Sequence, residues 1–142
     1  MRPRDKRITA LNEQEGLNQK IGIEIIDWQD GSGAVQLRVT SGTLNPAKVV
    51  HGGVLSSMLD VVLAMSGSYF PPPSPLMPGL TLQLSIQFLA GANETDGLLT
   101  ATARKTGGGS SLFFAEGAVR TEDGKIIATG TGAFKRGRLP NA

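Results

Sequence analysis

The residues best suited to chemistry in this chain lie in one stretch, NPAKVVHGGVLSSMLD, at positions 45–60. It holds the only histidine, His51, followed by Gly52-Gly53, and it ends at Asp60, which an apolar run follows. A carboxylate inside an apolar helix is costly unless it has donors or a function. Backbone N–H groups at a loop-to-helix junction are unpaired and can stabilise an oxyanion. These residue types suit acyl transfer, although a structural aspartate and a helix-capping histidine would also explain them.

The spacing of His51 and Asp60 prevents them from meeting on one helix. They are nine residues apart, which is about 900° of helical rotation, or a net half turn, and about 13 Å of rise. On the helix surface Asp60 instead neighbours Ser56 and Ser57. If His51 and Asp60 act on one bond, two copies of the chain must bring them together, so a shared site predicts a dimer.

The elements around this stretch predict an α+β fold. Residues 52–68 are apolar on nearly every helical face, which predicts one buried helix, and the prolines from Pro71 onward end it. An antiparallel sheet of about six strands wrapped around this helix fits the order of elements, because the helix and one sheet face bury each other. The predicted strands are 21–28, 33–40, 79–90, 97–106, 110–121 and 125–135, and residues 8–20 form a weak helix with Thr9 as N-cap.

Composition and charge exclude several classes of protein. The 142 residues suit one domain, 1–142, with flexible basic tails at 1–7 and 137–142. The net charge is +2, but the body between the basic tails is acidic, which argues against a nucleic-acid partner. The most apolar run, 54–65, is shorter than the roughly 20 residues of a membrane span. One histidine, no cysteine and scattered acids make a poor metal site, and without a visible secretory signal we expect a cytoplasmic protein.

The pattern Asn45–x5–His51-Gly52-Gly53–x6–Asp60 resembles the signature of hotdog-fold acyl-CoA thioesterases of the PaaI-like type, in the 4-hydroxybenzoyl-CoA thioesterase superfamily. GLTLQLSIQFLAGA resembles the central strand of that family and GKIIATGTGAFK its last strand, so the resemblance covers residues 16–136. It implies a sheet wrapped around one long helix. It also implies hydrolysis without a metal or cofactor, since coenzyme A is part of the substrate. The implied assembly is a homodimer at minimum, with a homotetramer built as a dimer of dimers expected.

The same resemblance implies roles for individual residues. Asp60 would attack the thioester carbonyl or activate a water, and the Gly52 N–H would polarise that carbonyl. Asn45 and His51 would orient the thioester or the water. Thr81, at the start of the predicted central strand, would hold the water, and it would come with Asp60 from the neighbouring protomer.

Other candidate residues depend on departures from the family pattern. Lys48 stands where relatives often have a glycine, and the run 107–109 stands where many have a basic residue for coenzyme A. This glycine run is either a turn or bulge between strands or a cradle for coenzyme A. The Pro-rich segment 70–78 is either a surface loop or a wall of the acyl pocket. The candidate substrate-binding residues are Gly53, Ser57, Phe70, Met77, Lys105, Gly107, Ser110, Ser111 and Lys135.

Hydrolysis of an aryl- or medium-chain acyl-CoA to the acid and coenzyme A is the leading function, with the acyl group left open. A non-catalytic acyl-CoA-binding module is one alternative, although such a module would normally lose Asp60 or carry a DNA-binding domain. An acyl-thioester hydratase or dehydratase is another. Those enzymes have an Asp-x-Asn-Pro-x-His motif, whereas here His51 lies six positions after Asn45 and Thr43 occupies the place of the acid.

Overall fold

A computed structural model describes residues 5–138, in which one antiparallel sheet wraps around a long helix. The sheet has six strands in the order β1-β2-β4-β5-β6-β3. The predicted α+β fold, about six strands around one helix, is confirmed. The helices are α1 (Lys6–Glu13), α2 (Leu17–Ile21) and α3 (Gly52–Ser66), and the strands are β1 (Glu24–Gln29), β2 (Ser32–Arg38), β3 (Leu80–Phe88), β4 (Leu98–Gly108), β5 (Leu112–Arg120) and β6 (Ile126–Lys135).

Helix α3 lies directly on the sheet, and two glycines permit this close approach. A Cβ on Gly117 would lie 2.8 Å from Leu63 Cδ1 and 2.5 Å from a backbone carbonyl of β4, and one on Gly130 would lie 3.3 Å from Leu59 Cδ1. Both leucines are fully buried, and burying each stabilises the fold by about 1.5–3 kcal/mol. No helix among residues 5–138 is long and apolar enough to cross a membrane, and a cytoplasmic location stays a prediction.

Strand β3 lies at an edge of the sheet and is mostly exposed. It pairs with β6 on one side, and no described strand pairs with its other side. The apolar side chains of Leu80, Leu82 and Phe88 are 55–65% exposed. An exposed apolar edge is a template for pairing with another chain. The strand that the sequence predicts to be central is therefore peripheral in a single chain.

The N-terminal segment joins the fold earlier than the sequence predicts. Asp5 caps α1, because its Oδ1 accepts a hydrogen bond from the Arg7 N–H at 2.9 Å, so Thr9 is not the N-cap. The helix predicted at 8–20 is two helices, α1 and α2, which Gly16 separates. The flexible tail expected at 1–7 is therefore wrong for residues 5–7. Residues 1–4 and 139–142 lie outside the described part of the chain.

Arg7 ties this N-terminal segment to the Pro-rich connection between α3 and β3. Its Nη1 donates to Phe70 O at 2.7 Å and to Ser74 O at 2.8 Å. Its Nη2 forms an ion pair with Asp5 at 2.7 Å. The hydrogen bond from the Arg7 guanidinium holds the pKa of Asp5 below its ordinary value. The connection is thus fixed from the N-terminal side.

Arg136, just after β6, holds the same connection from the other side. Its Nη2 donates to Tyr69 O at 3.1 Å, and its guanidinium carbon lies 4.9 Å from the centre of the Phe70 ring. Its backbone N–H donates to Ser111 O at 2.7 Å. We call Arg7 and Arg136 the arginine clamp. Segment 69–78 is therefore held by the clamp from both sides.

Candidate active site

Asp60 and Thr81 meet beside the open edge of the sheet. Thr81 Oγ1 donates to Asp60 Oδ1 at 2.6 Å, which joins the middle of α3 to the start of β3. This distance lies in the normal range for an O–H···O hydrogen bond. Asp60 is half-buried, so in a single chain its carboxylate is less enclosed than its place in an apolar helix predicts. The reason is that its helix face looks toward the uncovered strand β3.

The two serines one turn before Asp60 do not serve it. Ser56 Oγ donates to Gly52 O at 2.7 Å, and Ser57 Oγ donates to Gly53 O at 2.8 Å. Each hydroxyl has one proton, and these bonds use it. Among the described side chains, Thr81 is therefore the one that donates a hydrogen bond to the Asp60 carboxylate.

The start of α3 leaves one amide unused. His51 is the N-cap, and its Nδ1 accepts from the Gly53 N–H at 2.7 Å. The His51 carbonyl accepts from Val54 at 2.9 Å and from Leu55 at 3.3 Å. Within residues 5–138 no group accepts a hydrogen bond from the Gly52 N–H. Because Nδ1 accepts this hydrogen bond, Nε2 is the ring nitrogen that is left to act as a donor.

The loop before α3 is ordered by Asn45. Its Oδ1 accepts from the Ala47 N–H at 3.0 Å and from the Val49 N–H at 3.3 Å, which leaves its Nδ2 as a donor. Lys48 has φ +66°, a left-handed conformation that costs a residue other than glycine about 1–2 kcal/mol. This explains in physical terms why a glycine suits the position at which the chain has Lys48.

Two half-sites lie at opposite ends of the open edge. The acid half-site, Asp60 and Thr81, is at the start of β3. The amide half-site, Asn45, His51 and Gly52, is at its end, where a Cβ on Gly52 would be 3.4 Å from Phe88 Cε1. Thr81 and Phe88 are seven residues apart, about 23 Å of strand. One chain therefore does not bring Asp60 and His51 together.

Comparison with known proteins shows the family of this chain. A model of the thioesterase superfamily matches residues 47–128, which is more than half of the chain. The chain belongs to the thioesterase superfamily. It is 30% identical over 112 residues to the 1,4-dihydroxy-2-naphthoyl-CoA hydrolase of Listeria monocytogenes serotype 1/2a (strain 10403S), which covers 79% of this chain and 88% of the relative.

Solved structures place this thioesterase in the hotdog fold. The PaaI protein of the E. coli phenylacetic acid degradation operon superposes with a TM-score of 0.78 at 25% identity, over 94% of this chain and 93% of that protein. Zebrafish thioesterase superfamily member 2 superposes with a TM-score of 0.76 at 21% identity, over 93% of this chain and 94% of that protein. The resemblance read from the sequence is confirmed, and the chain is a thioester hydrolase.

The glycine run of this thioesterase ends β4 and begins the turn of the β4–β5 hairpin, because Gly107 and Gly108 belong to the strand and Gly109 follows it. Gly108 has φ +122°, and a Cβ there would lie 2.4 Å from Leu112 O. The Gly109 N–H donates to the same carbonyl at 2.8 Å, and the register shifts between Lys105 and Gly107. The run thus begins a turn and follows a bulge. A role for Gly107, Ser110 and Ser111 in binding coenzyme A stays a prediction.

The two lysines predicted to bind substrate stand on different faces of the sheet. Lys105 lies opposite Ala115, a buried position, whereas Lys135 lies opposite Leu112, an outward position. Strand alternation therefore directs them to opposite sides. The structure does not bring these two cations together on one phosphate group.

The aromatic residue nearest the amide half-site differs from the one the sequence suggests. Phe70, predicted to bind substrate, lies under Arg136 of the clamp, and Met77 packs against Gly137. Phe88, which is not among the residues predicted from the sequence, places its ring 3.4 Å from where a Cβ of Gly52 would stand. The alternation of side chains along β3 predicts that Phe88 lies on the helix side of the sheet. Its exposure could not be predicted in this way, because it depends on the position of β3 at the edge of the sheet.

A concavity of about 560 Å³ on the outward face of the sheet is not this site. It lies over β3, β4, β5 and β6, on the face opposite α3. Its carboxylate, Glu116, forms a salt bridge with Arg104 at 2.5 Å. A carboxylate engaged in this way is poorly placed for chemistry, in contrast to Asp60.

Proposed function

We propose that this thioesterase hydrolyses an aryl- or medium-chain acyl-CoA to the free acid and coenzyme A, with Asp60 as nucleophile or general base. The observation that carries the proposal is the Asp60–Thr81 pair at an open edge. In the pair the Asp60 carboxylate accepts from a hydroxyl, and no salt bridge among the described residues engages it, so it is accessible to a substrate or a water at the open edge. The Listeria relative supports an aryl substrate, because its name assigns it a naphthoyl thioester.

We infer that two chains pair antiparallel along β3. Such pairing sets the start of one β3 beside the end of the other, so the acid half-site of one chain faces the amide half-site of the second. Thr81 and Phe88 lie opposite the buried residues Phe134 and Ala128, so both point to the helix side of the joined sheet. The pairing also covers Leu80 and Leu82. It makes a homodimer the minimal enzyme, and a homotetramer stays a prediction.

In the shared site the amide half-site binds the thioester and the acid half-site supplies the reacting group. The carbonyl oxygen accepts from the Gly52 N–H, which stabilises the negative charge that develops there. Asp60 either attacks the carbonyl carbon, giving an anhydride that water then hydrolyses, or takes a proton from the attacking water. The C–S bond breaks, an oxygen enters the acid from water either directly or by way of the Asp60 carboxylate, which water then replenishes, and the proton reaches the sulfur. The His51 Nε2–H and the Asn45 Nδ2 are donors for the departing thiolate and the water.

Substitution of Asp60 tests this function. Asp60→Asn and Asp60→Ala, assayed on a panel of acyl-CoA thioesters by release of free thiol, should lower kcat by at least about 100-fold with an unchanged melting temperature. Asp30→Asn, an exposed turn carboxylate, is the matched control and should be fully active. Near-normal activity in both Asp60 variants contradicts the proposal.

Two further assays separate the alternatives. Hydration of an enoyl-CoA, measured beside thioester hydrolysis, should be undetectable, and hydration dependent on Asp60 would favour a hydratase. Single-turnover hydrolysis in 18O-labelled water puts label into Asp60 only if that carboxylate is the nucleophile. Independence from a metal or cofactor stays a prediction, and full activity in a chelator is its test.

A further inference from the structure

Phe88 contacts the start of α3 although much of its surface faces solvent. Its ring atoms Cε1 and Cζ lie 3.4 and 3.5 Å from where a Gly52 Cβ would stand, and the residue is 55% exposed. Aromatic rings are among the side chains that contribute most to binding when they are covered. Phe88 shares this exposure with the apolar residues Leu80, Leu82 and Leu89, on and just after the edge strand β3, and an apolar edge of this kind indicates a contact that the isolated chain does not make.

The two glycines at this helix start have rings of different chemistry beside them. The imidazole of His51 lies against Gly53, with Nδ1 2.9 Å from the Cβ position of that glycine. The phenyl ring of Phe88 lies against Gly52, the residue whose N–H is unused. A group bound to that N–H therefore meets an apolar surface at Phe88 and a polar one at His51.

We propose that Phe88 is the residue that selects the acyl group, and that it favours aryl acyl groups over short aliphatic ones. This inference rests on the proposed function, because the Gly52 N–H fixes the thioester carbonyl beside the ring. An N–H···O bond is about 2.9 Å long, and aromatic rings pair at centroid distances of about 4.5–7 Å. An aryl group next to the bound carbonyl falls within that reach.

The pairing of β3 strands strengthens the assignment. Phe88 points to the helix side at the end of β3, which antiparallel pairing sets beside Thr81 of the second chain. The ring then lies between Gly52 of its own chain and Asp60 of the other, along the path of the acyl group. Phe70, the alternative aromatic residue, is engaged by Arg136.

The test is a ratio of kcat/KM values for benzoyl-CoA and acetyl-CoA, measured in each variant of the full chain. Wild type should prefer benzoyl-CoA, and Phe88→Ala should lower the ratio about tenfold or more, because it removes both apolar area and ring pairing. Phe88→Leu should give an intermediate ratio and Phe88→Tyr should keep it. Leu89→Ala removes an equally exposed neighbour and is the matched control, with the ratio of wild type.

Two results overturn the assignment of Phe88. One is that both kcat/KM values, and so their ratio, are those of wild type in Phe88→Leu and Phe88→Ala; the other is that both values fall by the same factor, which leaves the ratio unchanged and indicates a purely structural role. Asp60→Asn separates this failure from that of the proposed function. Hydrolysis that depends on Asp60 with an unchanged ratio overturns Phe88 alone, whereas hydrolysis that survives Asp60→Asn overturns both.

Discussion

Gly52 offers a substitution that removes one hydrogen-bond donor and little else. It is the first residue of α3, where proline is favoured, since the N–H is unpaired within the helix and φ near −65° is preset. The residue before a proline must be extended. His51 has φ −59° and ψ 134°, which meets that requirement. Gly52→Pro should therefore fold.

Gly52→Pro should have opposite effects on stability and on activity. A Cβ at this position would lie 3.4 Å from Phe88 Cε1, which is ordinary contact, so the added Cβ brings no steric penalty. Proline reduces the freedom of the unfolded chain and should raise the free energy of unfolding by about 0.4–1 kcal/mol. Loss of one oxyanion donor lowers kcat by about 100- to 1,000-fold, or about 2.7–4 kcal/mol. Stability should rise while activity falls.

The assay compares Gly52→Pro with Gly52→Ala, which adds the same Cβ but keeps the N–H. We expect Gly52→Ala to retain kcat within about tenfold of wild type, because the donor remains. Release of free thiol gives kcat, and thermal unfolding by circular dichroism gives stability. If folded Gly52→Pro turns over as fast as Gly52→Ala, the Gly52 N–H does not stabilise the oxyanion.

Substitutions at three other positions probe the surroundings of the site. Thr81→Val loses the hydroxyl that donates to Asp60 and should lower kcat about 5- to 30-fold, the effect of about 1–2 kcal/mol. Thr81→Ser keeps the hydroxyl and should have nearly the kcat of wild type. Equal kcat values for the Val and Ser variants would show that the Thr81 hydroxyl has no role in the reaction. Arg7→Met strands the carbonyls of Phe70 and Ser74 and should lower the melting temperature at pH 7 by about 6–8 °C, from about 2 kcal/mol. The pKa of Asp5 is lowered in the fold, so the stability that Asp5 contributes is present above about pH 4 and is lost as the pH falls through the folded pKa. The difference in melting temperature between wild type and Arg7→Met should therefore narrow below pH 4. A difference that stays constant with pH contradicts the pairing of Asp5 with Arg7. Lys48→Gly should be neutral or stabilising in chemical denaturation and Lys48→Val destabilising by more than about 1 kcal/mol, and the reverse order would contradict the left-handed conformation of Lys48.

Local pattern predicted the elements well because it records burial directly. The apolar run at 52–68 predicted α3, observed at Gly52–Ser66, since a helix covered on most sides must be apolar on most sides. Strand alternation likewise predicted β1 to β6 to within a few residues. The nine-residue spacing of His51 and Asp60 predicted that they do not meet within one chain, and in the structure they do not.

Contacts distant in sequence account for what the pattern did not predict. In the sequence Arg7 belongs to a run of basic residues that predicts a flexible tail. In the structure it fixes the Pro-rich connection through hydrogen bonds to the carbonyls of Phe70 and Ser74, which lie 63 and 67 residues away in the chain. Asp60 reads as buried because its helix is apolar, but the sheet order leaves β3 at an edge beside it. The exposure of Phe88 has the same origin. These features follow from topology, which short-range periodicity does not encode.

The central claim is that each active site takes Asp60 from one chain and Gly52 from the other. Chains carrying Asp60→Asn and chains carrying Gly52→Pro, each nearly inactive alone, can be unfolded together and refolded in equal amounts. Random pairing makes half of the dimers mixed, each with one intact and one doubly altered site, so the mixture should recover about a quarter of wild-type activity. A refolded mixture no more active than the separate variants, with mixed dimers verified by mass, would contradict the shared site.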